Sequence, residues 1–293
     1  MVKCIAYAGE LYSAAARRTI ERYESAGELS LTGIIADKLE AAQGYDAPIV
    51  DKSQIDPESP DAIIILAQDR RRVRRMEQSL IDAGFPGEKI VPVSVMNLAG
   101  FDFGLYRKLK LHTPTIFSLN CMAGLLYYYM GLKFMSPIVN IRFNERDYLR
   151  FLTDPKRYLS TELTYLGIET VSYLGETYPV AGCGDIRIAL VHYPTFEEGA
   201  KKWNIRKERV DWNNLVVLNH SDHEDIVRQF AALPYERKAC FTGVKIEDPC
   251  IVPKQSVKMS DLNGAFLRNT INSFFFTNNA GFNMFQFLAG ADG

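Results

Sequence analysis

Cys121 stands where a strand-like run ends and an apolar run, Met122 to Met130, begins with no spacer. A cysteine at a helix N-terminus meets free backbone N–H groups and the positive end of the helix dipole. Both favour the thiolate, so the position suits a nucleophile. His192 ends another strand-like run, Asp185 to His192. Sites in open α/β sheets gather at the carboxyl ends of parallel strands, so the sequence lets His192 meet Cys121. A Cys–His pair suits acyl transfer. The rival reading for Cys121 is packing, since free cysteines are among the most buried residues. His192 reads either as a general base or as a structural histidine with its hydrogen bonds satisfied. Asp185 lies seven residues before His192, roughly 23 Å away along an extended chain, so it reads as a strand start rather than a partner.

Ser118, Asn120, Ser136 and Asn140 add a ring of short polar side chains at two such strand ends. They suit hydrogen bonding to sugar hydroxyls or a pyrophosphate, and equally the capping of local turns. Tyr193 contributes a phenol beside His192. Lys202, Arg206 and Arg209 fall at i, i+4 and i+7, one face of a helix whose other face carries Phe196, Ala200 and Trp203. That basic face is either an anion site or a solvated surface. His220 and His223 lack a third ligand at metal-binding spacing, so no metal is expected.

The elements that hold these residues alternate. Lys3–Gly9, Leu31–Asp37, Asp61–Ala67 and Lys89–Val93 read as strands, with helices over Tyr12–Ala26 and Arg70–Ala83. Such alternation implies βαβ units and a parallel sheet. The first turn, Ala8 to Ser13, holds one glycine and Glu10 rather than G-x-G-x-x-G, so no dinucleotide cofactor is expected, although Asp37 matches the ribose-binding acid in part. Asn97 to Leu111 reads as a connector. In the second half, helices are expected over Met122–Met130, Asn144–Leu152, Pro155–Leu166 and Asp225–Leu233, with strands over Leu215–Leu218 and Lys238–Thr242. Thr195-Phe-Glu-Glu198 is a capping box that starts a further helix. The expected architecture is α/β, two Rossmann-like domains with mainly parallel sheets, over residues 1–105 and 106–293.

The chain has 293 residues, 47% of them hydrophobic and 24% charged, enough to bury two cores. A net charge of -1 gives no global field for nucleic acid, and the arginines from Arg70 to Arg75 read as a solvated helix face. The five cysteines form no CxxC pair and are odd in number, which suits a reducing compartment. Neither a signal peptide nor a run of about eighteen apolar residues is found, so a cytoplasmic protein is expected. The tail from Asp261 carries Phe274, Phe275, Phe276, Phe282, Phe285 and Phe287. It reads as a helix packing on a domain or on a second copy, which leaves a homo-oligomer open, or as peripheral contact with the inner membrane.

Ser118-Leu-Asn-Cys-Met-Ala-Gly124, Ser136 to Asn140, Tyr178-Pro179, His192-Tyr193, the Glu198 to Arg209 helix, Asn213 to Leu215 and Cys240 to Thr242 stand in an order that resembles the domain-of-unknown-function 1919 family. The resemblance covers about residues 112–245 and adds Gly124 to the expected binding residues. Members are bacterial proteins often labelled as exopolysaccharide or capsule biosynthesis proteins. What the resemblance implies is a surface-polysaccharide protein, a transferase taking a nucleotide-activated sugar or acyl donor. The alternative is a non-catalytic sugar-nucleotide-binding or assembly module of the same pathway. The ligand expected is a nucleotide sugar or another anionic small molecule.

Overall fold

The computed structural model describes residues 1–11, 13–171, 176–253 and 282–290. The chain divides into two compact units, Met1–His112 and Thr113–Gly293. The stretch expected as a connector carries a helix instead, and the division falls just after it.

In the first unit, β1 (Val2–Tyr7), α1 (Ala14–Ser25), β2 (Leu29–Ile35), β3 (Ala62–Ile65), α2 (Arg70–Asp82), β4 (Ile90–Pro92) and α3 (Phe103–Leu111) follow in order. The helices begin at side-chain caps: Ser13 accepts from Ala16 N–H, Asp69 from Arg72 N–H and Asp102 from Leu105 N–H. The sheet runs β2-β1-β3-β4, every pair parallel. Its strands are short apolar runs because helices cover both faces of such a sheet. Ile5, Ile63, Ile65, Val73, Leu80 and Ile90 form part of the core.

The second unit holds β5 (Thr115–Ser118), α4 (Met122–Tyr129), β6 (Arg142–Phe143), α5 (Glu145–Thr153), α6 (Pro155–Ser160), β7 (Thr164–Val171), β8 (Glu176–Cys183), β9 (Ile186–Ala189), α7 (Phe196–Lys207), β10 (Leu215–His220), α8 (Glu224–Ala231), β11 (Lys238–Thr242), β12 (Ile251–Pro253) and α9 (Met284–Ala289). One sheet, β12-β11-β10-β5, is parallel. The other, β6-β9-β8-β7, is antiparallel throughout, which corrects the expectation of mainly parallel pairing for this half. The physical reason lies at Gly184-Asp185, two residues that close β8 onto β9 with Cys183 opposite Ile186. Gly184 takes a φ of 59°, which glycine reaches without strain, and a two-residue hairpin joins only antiparallel strands. Thr164 to Leu166 belongs to β7, not to the helix expected there.

The two sheets share one core around Phe117, Phe143, Tyr148, Phe151, Ile188 and Trp203. A backbone hydrogen bond from Phe143 N–H to the Leu119 carbonyl, 3.0 Å, joins β6 to the carboxyl end of β5. The apolar helix α9 buries Phe285 and Phe287, and Phe282 meets Phe241 edge-on. Phe274, Phe275 and Phe276 lie outside the described residues. Among the described residues no helix is long and apolar enough to cross a membrane.

Among the described strands β5 is at a sheet edge, and one side chain meets two backbone groups on its open side. The Tyr127 hydroxyl accepts from Ile116 N–H at 2.9 Å and donates to the Pro114 carbonyl at 2.7 Å. The phenol is fully buried, so nothing else solvates those groups. Tyr127→Phe is expected to destabilise the second unit by roughly 2–4 kcal/mol, from two buried groups left unpaired, as measured by urea unfolding.

Candidate functional site

The structure brings Cys121 and His192 together: Sγ lies 3.4 Å from Nε2, within hydrogen-bonding reach for sulfur. Cys121 holds the N-cap position of α4, directly after β5. His192 does not end a parallel strand as expected. Strand β9 stops at Ala189 and is antiparallel to both neighbours, and His192 sits in the turn that follows. Its φ is 68°, the left-handed region that side chains with a Cβ enter at a cost of roughly 1–2 kcal/mol. Asn140, at φ 65°, is the other such non-glycine residue among those described. Both belong to the expected site, and backbone strain of this kind collects where surrounding structure enforces a functional geometry.

One buried cluster enforces both turns. The Val139 carbonyl accepts from the Tyr193 hydroxyl at 2.9 Å and from Arg206 Nη1 at 3.2 Å, while Arg206 also donates to the Tyr193 oxygen at 2.8 Å. The Arg206 guanidinium lies over the Phe134 ring, 5.3 Å from its centre, and the residue is only 8% exposed. Val139 precedes Asn140, and Tyr193 follows His192. Anchoring those two neighbours therefore fixes both left-handed residues. Burial pushes the Tyr193 phenol up, opposed by Arg206, so it stays a neutral donor.

The basic face expected from Lys202, Arg206 and Arg209 is thereby corrected. Arg206 points into the protein, Arg209 donates to the Phe134 carbonyl at 3.1 Å, and Lys202 is exposed. Arg206 and Arg209 both bond to the 134–139 segment, so two of the three cations expected on that face serve as struts.

The polar ring divides in the same way. The Ser118 hydroxyl donates to the Asn120 carbonyl at 2.6 Å and accepts from Ala123 N–H at 3.0 Å, closing the turn into α4. Asn120 Oδ1 accepts from Met122 N–H, and Ser136 Oγ from Ile138 N–H. These are turn-capping roles. Gly124 is a close approach: a Cβ there would lie 3.1 Å from Val139 Cγ1 and 3.3 Å from Asn140 Oδ1. It lets α4 pack against the strained turn.

Arg142 is the residue that the sequence reading missed. It is the only charged side chain between Ser136 and Asn144, a signal hidden because its strand is two residues long. Strand pairing sets Arg142 opposite Ala189, three residues before His192. Its guanidinium donates to the Tyr178 hydroxyl at 2.6 Å and lies over that ring. No carboxylate pairs with it among the described residues.

The helix terminus does not lower the Cys121 pKa as expected. Burial pushes the thiol up, and the Arg142 charge pulls it only partly back. The resting group is a thiol, and a base is needed to ionise it. His192, exposed and carrying a free second nitrogen among the described contacts, is placed to be that base. The other four cysteines are buried, each pushed up to about 11 or 12.

Two measurements check this account. Iodoacetamide is expected to label Cys121 first in the folded protein, and Arg142→Ala to move the half-maximal labelling rate to higher pH, because the cation that favours the thiolate is gone. Arg206→Met is expected to cost about 2–4 kcal/mol in urea unfolding, since it removes two buried charge-assisted hydrogen bonds, to the Val139 carbonyl and the Tyr193 oxygen, whereas Lys202→Ala stays within about 0.5 kcal/mol.

Comparison with known sequences extends these observations. A relative from Haemophilus influenzae, described as an uncharacterized protein, is 30% identical over 142 residues, 47% of this chain and 66% of the relative. The chain thus spans just under two thirds of that relative's length. A family model described as Domain of unknown function (DUF1919) matches residues 93–277, wider at both ends than the 112–245 expected from the motifs. That match takes in Cys121, Arg142, His192 and Arg206 and more than half of the chain, which therefore belongs to the DUF1919 family.

Proposed function

We propose that Cys121 and His192 form a nucleophile–base pair for acyl transfer, with Arg142 holding an anionic part of the donor. The observation that carries the reading is the 3.4 Å approach of Sγ to Nε2, made by two residues 71 apart in sequence. Of the two donor classes expected, a nucleotide-activated sugar and an acyl donor, the thiol–imidazole pair favours the acyl donor, because sulfur adds readily to a carbonyl carbon.

The steps follow from the protonation states. With a proton on Nδ1, the imidazole accepts the Cys121 proton at Nε2 as sulfur bonds to the acyl carbon. The donor's leaving group departs with the electron pair of its broken bond and takes that proton from His192. A thioester on Cys121 remains. An acceptor hydroxyl then gives its proton to Nε2 and attacks the thioester carbon, and the sulfur leaves to recover its proton. Arg142 would bind a phosphate or carboxylate on the donor through its fork of N–H groups. The left-handed turn at His192 takes the orienting part that a third group plays in a triad.

The resemblance to exopolysaccharide and capsule proteins supports a sugar hydroxyl as acceptor and surface-polysaccharide assembly as the setting. The parallel β–α alternation supports Rossmann-like halves as scaffold, with the chemistry residing in the site grafted on them.

The test is incubation with a panel of acyl-CoA thioesters, followed by mass spectrometry of the Cys121 peptide. A covalent acyl adduct is expected with the native chain and its absence with Cys121→Ala. His192→Ala should slow adduct formation by roughly 10²–10⁴-fold while the fold is retained. An unmodified Cys121 across the panel refutes acyl transfer and leaves a non-catalytic binding module as the reading.

A further inference from the structure

The first unit carries a second constellation. Its strand order, β2-β1-β3-β4, reverses beside β1, so the chain leaves β1 and β3 in opposite directions and opens a crevice at their carboxyl ends. A cavity of about 200 Å³ lies there, lined by Tyr7, Gly9, Asp37, Arg72, Arg75 and Met76, with exposed Glu10 also on its wall. A second cavity of about 480 Å³ shares Arg75 and reaches Lys52 and Ser79 along the same face of α2.

The charges in these cavities are held apart. Arg72, Arg75 and Lys52 make no ion pair among the described residues, nor does Asp37. Lys52 is tethered to the Ser79 hydroxyl at 2.6 Å. Asp37 is fixed from below: the Tyr7 hydroxyl donates to both of its oxygens, at 2.9 and 3.1 Å, and the Gly9 carbonyl accepts from Asp37 N–H. Burial and the neighbouring carboxylate push the Tyr7 phenol up to about 12, so it remains a donor. Gly9 has a φ of 57°, and a Cβ there would come within 3.1 Å of Met76 Cε and 3.8 Å of Asp37 Oδ2. An oriented carboxylate thus lines the same crevice as two guanidiniums that form no ion pair among the described residues.

From a held carboxylate and two unpaired guanidiniums lining one crevice we infer that the first unit binds a phosphorylated sugar, free or within a nucleotide, its vicinal hydroxyls on Asp37 and its phosphate on Arg72 and Arg75. A carboxylate with both oxygens oriented accepts two hydroxyl hydrogen bonds from a diol. Two guanidiniums three residues apart on one helix face offer forks to phosphate oxygens. The mode differs from dinucleotide binding, in which phosphate approaches the first glycine turn. Here Glu10 and Met76 occupy that approach, and the cations come from the helix after β3. This site is independent of the Cys121–His192 pair.

The test is calorimetric titration of the full chain with glucose 1-phosphate, uridine 5′-diphosphate and inorganic phosphate. Either phosphorylated sugar is expected to bind at least roughly tenfold more tightly than phosphate alone, and the tighter of the two identifies the source. Arg72→Ala and Arg75→Ala should each weaken that binding by roughly tenfold or more. Asp37→Asn, which preserves an acceptor for Tyr7, should weaken the sugar ligands and leave phosphate unchanged. The inference is overturned if neither sugar ligand binds more tightly than phosphate, or if binding survives both arginine substitutions in protein whose melting is unaltered. It is equally overturned if Asp37→Asn leaves the preference for sugar intact.

Discussion

The Val139 carbonyl is the point on which the second unit's site depends. It receives two buried hydrogen bonds, one from the Tyr193 hydroxyl and one from Arg206, and these donors are themselves bonded. A guanidinium taken out of water costs several kcal/mol unless its donors are met, and here a carbonyl, a phenol and an aromatic face meet them in place of a carboxylate. The cluster pins residues adjacent to Asn140 and His192, whose left-handed backbones would otherwise relax. The strain at the surface is thus sustained by a knot in the core.

A second consequence follows from how the two sheets of this unit meet. In the described part of the parallel sheet the strand order runs without reversal, so it opens no switch-point crevice of its own. The antiparallel sheet supplies what is missing. Phe143 bonds to Leu119 at the end of β5, and with it come Arg142 from β6 and His192 from beyond β9. Each of the three chemical groups therefore rides on a different element. Their burial differs too: Cys121 is half-buried and stays protonated, while His192 reaches solvent, an arrangement in which the base can exchange protons and the nucleophile is shielded.

The first unit has the reversal that the described strands of the second lack, and its crevice holds a carboxylate and guanidiniums rather than a nucleophile. The Domain of unknown function (DUF1919) match begins at residue 93, close to the end of that unit. The crevice accordingly lies outside the family's matched region, whereas the cysteine site lies wholly inside it.

Local rules were legible in the amino-acid order. The Thr195–Glu198 capping box starts α7, with Thr195 accepting from Glu198 N–H, and Gly131 enters the left-handed region after α4 as expected. Strand–helix alternation gave the mixed α/β class, and the rule that sites gather at parallel strand ends pointed to Cys121 after β5, while His192 was reached from a strand that is in fact antiparallel. Only the tertiary structure decided the rest. Helical spacing put Lys202, Arg206 and Arg209 on one face, but whether that face meets water or the 134–139 segment is a long-range fact. Arg142 gave no periodic signal because a two-residue strand has no period. The sign of the Cys121 shift likewise came from burial, which overrides a helix terminus and which no local sequence window contains. Sequence fixes what a residue offers its near neighbours; the packing of distant segments sets the dielectric and the partners it finally meets.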